Sequence, residues 1–215
     1  VTSISLTNFK SEDAKHQPIS STFTIGQTIL FEGNSGIGKT RLLKAVSSFL
    51  PYSGCRLVNQ TLTNLDDIYE DILYVEQNPY CLSGSLRQNL VIANEQASDV
   101  RLKQVLQQVN LSHMSNLDEW IGSGGRQLSG GEIKRLGVAR AILSDKSVLL
   151  FDEPFEALDR DNISLISELL NGLKTSKIIL IASHIKPKQL QTDQILALEL
   201  ASRTNSNPKL GTGVN

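Results

Sequence analysis

The chain has 215 residues, 40% hydrophobic and 20% charged, which suits one globular domain or a domain with one lobe attached and excludes a disordered chain. With 21 Lys and Arg against 22 Asp and Glu the net charge is -1, so there is no strong pull toward nucleic acid or an anionic membrane, and no nucleic-acid partner is expected. No apolar run approaches the roughly 18 residues that cross a bilayer, so the chain as given is expected to be soluble. Cys55 and Cys81 lack CxxC spacing and read as small apolar residues of a reducing compartment.

In chain order, the sequence opens VTSISLTNF without a methionine and is expected to be a piece of a longer protein. The first 27 residues, with SISLTNF and STFTI, alternate in polarity and predict antiparallel strands at one edge of the fold. TILFEG (28–33) predicts a buried strand, and KTRLLKAVSSFL (39–50) a helix with Leu42, Leu43, Val46, Phe49 and Leu50 on one face. DILYVEQ (71–77) predicts a second strand. From about 78 to 128 the pattern becomes helical and loop-rich, with Leu102, Val105, Leu106 and Val109 at i, i+3, i+4 and i+7. Strand signals return in SVLLFDE (147–153), KIILIASH (177–184) and QILALEL (194–200), with a helix over 161–173 between them. These continuous apolar runs suit a parallel sheet covered on both faces, an α/β architecture. The polar end, 201–215, reads as a disordered tail.

Two motifs carry chemistry. GNSGIGKT follows a strand and opens a helix, the context of a phosphate-binding Walker A loop. Gly33, Gly36 and Gly38 let backbone amides turn toward phosphates, Lys39 supplies charge to the β and γ phosphates, and the Thr40 hydroxyl suits Mg2+. The nucleotide contacts are expected to run through Gly33, Asn34, Ser35, Gly36, Ile37, Gly38, Lys39, Thr40 and Arg41. In SVLLFDEP, a strand ending in two acids puts Asp152 where it can hold Mg2+ through water and Glu153 where it can polarise an attacking water. A third element, Ser129, Gly130 and Gly131 ahead of a basic helical run, forms a second anion cradle.

The order GNSGIGKT, Gln77, LSGGE, LLFDEP, ALD and His184 resembles the nucleotide-binding domain of ATP-binding cassette (ABC) proteins over nearly the whole chain. The resemblance implies ATP and Mg2+ as ligands and a P-loop NTPase (RecA-like) core over about 1–77 and 137–200, with an antiparallel β edge. An α-helical subdomain is inserted over about 78–136, and the ATPase domain as a whole spans 1–200. It further implies that Gln77 touches the metal or its water, that His184 contacts the γ phosphate, and that Ser129, Gly130 and Gly131 face an ATP held by a second ABC ATPase domain. Asp159 resembles an interface aspartate. The family stacks adenine on an aromatic ahead of Walker A; NFKSEDAKHQPISSTFTIG has no obvious tyrosine there, and Phe9 is the candidate. Phe155 and Glu156 replace a commoner small polar pair, and Glu132 a commoner glutamine.

YVEQNPYCLSGSLRQNL resembles exporters whose ATPase is fused behind a transmembrane domain, implying an exporter transmembrane domain as partner at the cytoplasmic face of the inner (plasma) membrane. LDEWIGSGGRQLSGGEIKRLGVARAIL and DEPFEALD look like the C subunit of the bacterial thiol exporter that supports cytochrome bd assembly, with a multidrug or peptide exporter as the wider alternative. A chromosome or DNA-repair ATPase would need a long heptad-bearing insertion, and a small-molecule P-loop kinase leaves LSGGE and His184 unexplained. Non-transport ABC proteins usually carry two cassettes per chain.

Overall fold

The computed structural model describes residues 1–62 and 70–201; the polar tail expected over 201–215 falls, beyond Ala201, outside the described residues. Two sheets organise the chain. The parallel one has strand order β11-β3-β10-β9-β6, built from β3 (Thr28–Glu32), β6 (Ile72–Val75), β9 (Val148–Asp152), β10 (Ile178–Ala182) and β11 (Gln194–Ala197). Strands β9 and β10 are buried at every residue, as the unbroken apolar runs require, and β11, at the edge, alternates. The antiparallel strands β1 (Ser3–Ser11) and β2 (Ile19–Thr24) form a separate four-stranded sheet, order β2-β1-β4-β5, instead of extending the parallel one.

The additional strands, β4 (Tyr52–Val58) and β5 (Thr61–Leu62), left no clear sequence signal. In YSGCRLV the alternation is broken by Gly54 and by a buried charge, Arg56. Both have positional reasons. β1 carries an irregularity around Asn8, and a Cβ on Gly54 would lie 2.2 Å from the Asn8 carbonyl oxygen, so only glycine lets β4 close against it.

Helix α1 (Lys39–Val46) lies between the sheets and is shorter than its apolar pattern predicts. The Ser47 hydroxyl donates back to the Leu43 and Lys44 carbonyls, Ser48 turns to φ +65°, and Arg56 Nη1 donates to the Val46 carbonyl at 2.7 Å. Leu42, Leu43 and Val46 are buried as expected. Phe49, past the helix end, is 54% exposed.

The strand period divides the core. Ile29 and Phe31 face α1 and the antiparallel sheet, where Ile4, Leu6, Phe9 and Phe23 complete one cluster. Leu30, Leu149, Phe151, Ile179 and Ile181 face the opposite layer, formed by α4 (Gly130–Leu143) and α5 (Arg160–Lys174). That cluster runs on without a break into α2 (Leu86–Val91) and α3 (Asp99–Gln108), where Leu102, Val105 and Leu106, with Val109 just past the helix end, are all buried. A short ladder of β7 (Gly84–Ser85) with β8 (Trp120–Ile121) closes this segment. Cys55 and Cys81 are free thiols.

Candidate functional site

Because β3, β6, β9 and β10 are parallel, their carboxyl ends lie along one edge of the sheet. Gly33, Gln77, Glu153 and His184 each follow one of these strands closely, so four separate sequence segments converge there. A cavity of about 560 Å³ opens at this edge, lined by Ser35, Gly36, Gly38, Lys39, Thr40, Arg41, Gln77, Glu153, Glu156 and His184.

Among the helices of the described residues, α1 alone has no side-chain cap. Its N-cap is Gly38 at φ +113°, a conformation that a side chain resists, and a Cβ there would also press on Ala14 at 3.0 Å. Four amides at a helix start have no intrahelical acceptor, so an uncapped start beside a cavity favours an anion. Lys39 Nζ donates to the Gly33 carbonyl at 2.7 Å and lies 3.8 Å from Glu153 Oε1. A position beside a glycine-rich loop suggests an exposed cation; instead Lys39 is buried, 8% exposed, while still lining the cavity. Ile37 is directed into the core, and Gly33 and Asn34 build the loop without lining the cavity.

Asp152 is 2% exposed and lies beneath the cavity. Its two oxygens are held separately: Thr40 Oγ1 donates to Oδ1 at 3.1 Å and the Tyr74 hydroxyl to Oδ2 at 3.0 Å. Burial pushes the Asp152 carboxyl up, against the hydrogen bonds from Thr40 and Tyr74. Burial, then the neighbouring Asp152 charge, raises the Tyr74 phenol, which therefore stays a donor. Among the described residues, no three His, Cys, Asp or Glu side chains form a metal cluster. Thr40, the Gln77 amide and, through water, Asp152 supply oxygen donors of the kind that Mg2+ would take.

Glu153 has φ +46°, a backbone strain of about 1–3 kcal/mol for a non-glycine residue. The turn is held on both sides, by its N–H donating to the Ala182 carbonyl at 2.8 Å and by Lys134 Nζ donating to its own carbonyl at 2.8 Å. Its Oε2 accepts from the His184 backbone N–H at 3.1 Å and from His184 Nδ1 at 2.8 Å. A carboxylate oxygen only accepts, so Nδ1 carries the proton and Nε2 is left for another partner.

Ser129, Gly130 and Gly131 are not among the residues lining the cavity. They form the start of α4, where Ser129 Oγ accepts from the Glu132 N–H at 3.2 Å and Glu132 Oε2 accepts from the Ser129 N–H at 2.8 Å, a capping box. Burial raises the Glu132 carboxyl, but hydrogen bonds from Ser129 and His113 and the charge of Arg126 outweigh this and bring it to about 2. Asp159 is exposed and caps α5 by accepting from the Asn162 N–H at 2.8 Å.

Phe9 does not face the site. It is fully buried in the core against Tyr52, ring centroids 4.5 Å apart, and cannot stack on a base. β4, which brings Tyr52 across it, is the element that hides it. Arg41 does line the cavity, with Nε donating to the Glu12 carbonyl at 3.0 Å and Nη2 3.3 Å from Asp13 Oδ2. The site roles of two residues are not legible in the sequence, where Tyr74 carries no motif and Glu156 stands only in place of a commoner small polar residue. Tyr74 could have been suspected as the one hydroxyl in an otherwise apolar strand, and Glu156 as a further acid three residues beyond Glu153.

Residues 16–156 match the family model described as ABC transporter. The chain is similar to the glutathione/L-cysteine transport system ATP-binding/permease protein CydC of Escherichia coli (strain K12), 35% identical over 181 residues, 81% of this chain and 32% of that protein. It is similar also to CydD of the corresponding system in Haemophilus influenzae, 32% identical over 85% of this chain and 32% of that protein. The chain therefore spans about a third of the length of these relatives. In fold it is similar to a bacterial Atm1-family ABC exporter with ATP bound, with a TM-score of 0.82 at 20% identity over 93% of this chain and 38% of that one. A putative ABC transporter ATP-binding protein from Pyrococcus furiosus gives 0.79 at 21% identity over 92% of this chain and 98% of that one. The P-loop NTPase fold, the phosphate loop at the sheet edge and the family match together lead to one conclusion: the chain belongs to the ABC transporter family, as a nucleotide-binding ATPase domain.

Proposed function

We propose that the cavity binds MgATP and that this chain is the motor domain of an ABC exporter. The observation that carries the reading is the convergence of the uncapped start of α1, Lys39, Gln77, Glu153 and His184 on one cavity above the Thr40–Asp152 pair. The loop amides and Lys39 hold the polyphosphate. Thr40 and Gln77, with Asp152 through a water, would hold Mg2+, whose positive charge would offset that of the phosphates. Glu153 accepts a proton from the attacking water, and His184, anchored through Nδ1, offers Nε2 to the γ phosphate. The RecA-like core takes about 1–77 and 137–200 and the helical subdomain about 78–136, with α4 running through the junction.

Ser129 and Gly130 are exposed, Gly131 is half-buried, and none of the three lines its own chain's cavity, which supports a head-to-tail dimer in which they close over a partner's ATP. A second, apolar recess of about 300 Å³ runs beside β6, with Phe49, Tyr80 and Ile92 exposed at its rim. Its apolar rim next to Gln77 suits a helix of the transmembrane domain. Among the described residues no helix is long and apolar enough to cross a membrane, so that domain would be separate from residues described here. We place the assembly at the cytoplasmic face of the inner (plasma) membrane and, from the kinship with the CydC and CydD proteins, propose a low-molecular-weight thiol as cargo. The test is Glu153→Gln. ATP binding should persist, hydrolysis should fall at least about a hundredfold, and an ATP-dependent dimer should accumulate in sedimentation velocity. Unchanged turnover would remove Glu153 from the reaction.

A further inference from the structure

Gln77 is anchored at one end. Its Nε2 donates to Glu156 Oε2 at 2.8 Å. A carboxylate only accepts, so the NH2 end of the amide has to face Glu156, and the acceptor Oε1 is directed elsewhere in the cavity. Only Oε1 can bind a cation or accept from a water. An amide without such an anchor could present either end.

Glu156, its side chain 41% exposed, has a second contact. Lys134 Nζ lies 3.6 Å from the same Oε2 while donating to the Glu153 carbonyl, and Lys134 is only 7% exposed. A continuous path of polar contacts thus runs from the Glu153 backbone through Lys134 and Glu156 to Gln77. Glu156 also lines the cavity, so the contact is part of the site and not a remote surface pair. Outer partners that orient metal ligands commonly contribute about 10–100-fold to metal affinity.

We propose that Glu156 is a positioning residue for Gln77, pinning the amide NH2 so that Oε1 is presented to Mg2+ or its water. The proposal rests on the reading of Gln77 as a metal or water ligand. The experiment titrates Mg2+ against this chain with a fluorescent ATP analogue, mant-ATP, and compares wild type, Glu156→Ala, Gln77→Ala and the double variant, with mant-ATP affinity in EDTA as reference. Glu156→Ala should raise the Mg2+ concentration for half-maximal binding about tenfold beyond any change in its own EDTA affinity, and add nothing in the Gln77→Ala background. An unchanged Mg2+ requirement in Glu156→Ala, with a raised one in Gln77→Ala, overturns the inference alone. So does an equal rise in the Gln77→Ala background, which would mean that Glu156 acts directly. A Gln77→Ala variant with the wild-type requirement overturns the ligand reading of Gln77, and the inference with it. Should Glu156→Ala fail to fold, Glu156→Ser carries the same expectations.

Discussion

Replacing Lys39 with methionine separates its two structural jobs. The stem is buried and the ammonium reaches the Gly33 carbonyl at 2.7 Å and Glu153 Oε1 at 3.8 Å. Lys39→Ala would remove both stem and charge; Lys39→Met keeps the packed volume and removes the charge alone. A charge-assisted hydrogen bond contributes about 1.5–3 kcal/mol, and part of that is recovered because Gly33 is only half-buried and solvent can replace the lost donor. Glu153 keeps its bonds from His184. The net loss of stability should be about 1–2 kcal/mol, or roughly 2–8 °C in Tm for a chain of this size. The effect on chemistry is larger, since a fixed positive charge on the transferring phosphoryl group should be worth about 10²–10³ in rate. Phosphate release and thermal unfolding, measured on one preparation, give both figures. Hydrolysis within about threefold of wild type, alongside the expected fall in Tm, would refute the placement of Lys39 at the phosphates.

Mixing Lys39→Met with Ser129→Arg tests the trans arrangement: each alone should be nearly inactive, and a mixture should recover at most about a quarter of wild-type hydrolysis if pairing is random and sites act independently. No recovery, in chains that self-associate with ATP, would refute it. The capping box predicts a pH signature. Glu132 titrates near 2 in the fold against 4.5 ordinarily, so its charge contributes stability fully above about pH 4.5, and that contribution is lost as pH falls toward 2. Glu132→Gln should be less stable at pH 7, by denaturant midpoint, and the gap should close between those two values; a gap constant down to pH 2 would contradict the assignment.

What was legible in the sequence was whatever chemistry or burial concentrates locally. The phosphate loop has to place glycines, a lysine and a hydroxyl within eight positions, and β9 and β10 have to be apolar throughout because both faces are covered. Phe9 was misread because its burial depends on Tyr52, more than forty residues later, in a strand disguised by Gly54 and Arg56. The end of α1 was misread for a related reason. Its last carbonyls are taken by Arg56, and no local signal announces that bond. The burial of Lys39 and the reach of Glu156 to Gln77 also depend on how distant segments meet at the sheet edge.

The most direct measurement is a crystal structure of the Glu153→Gln chain grown with ATP and Mg2+. The account predicts the polyphosphate wrapped by residues 33–40, Mg2+ at Thr40 and Gln77 with Asp152 behind a water, and Ser129 of a second copy on the γ phosphate. ATP bound elsewhere, or a cavity without nucleotide at saturating MgATP, would contradict it.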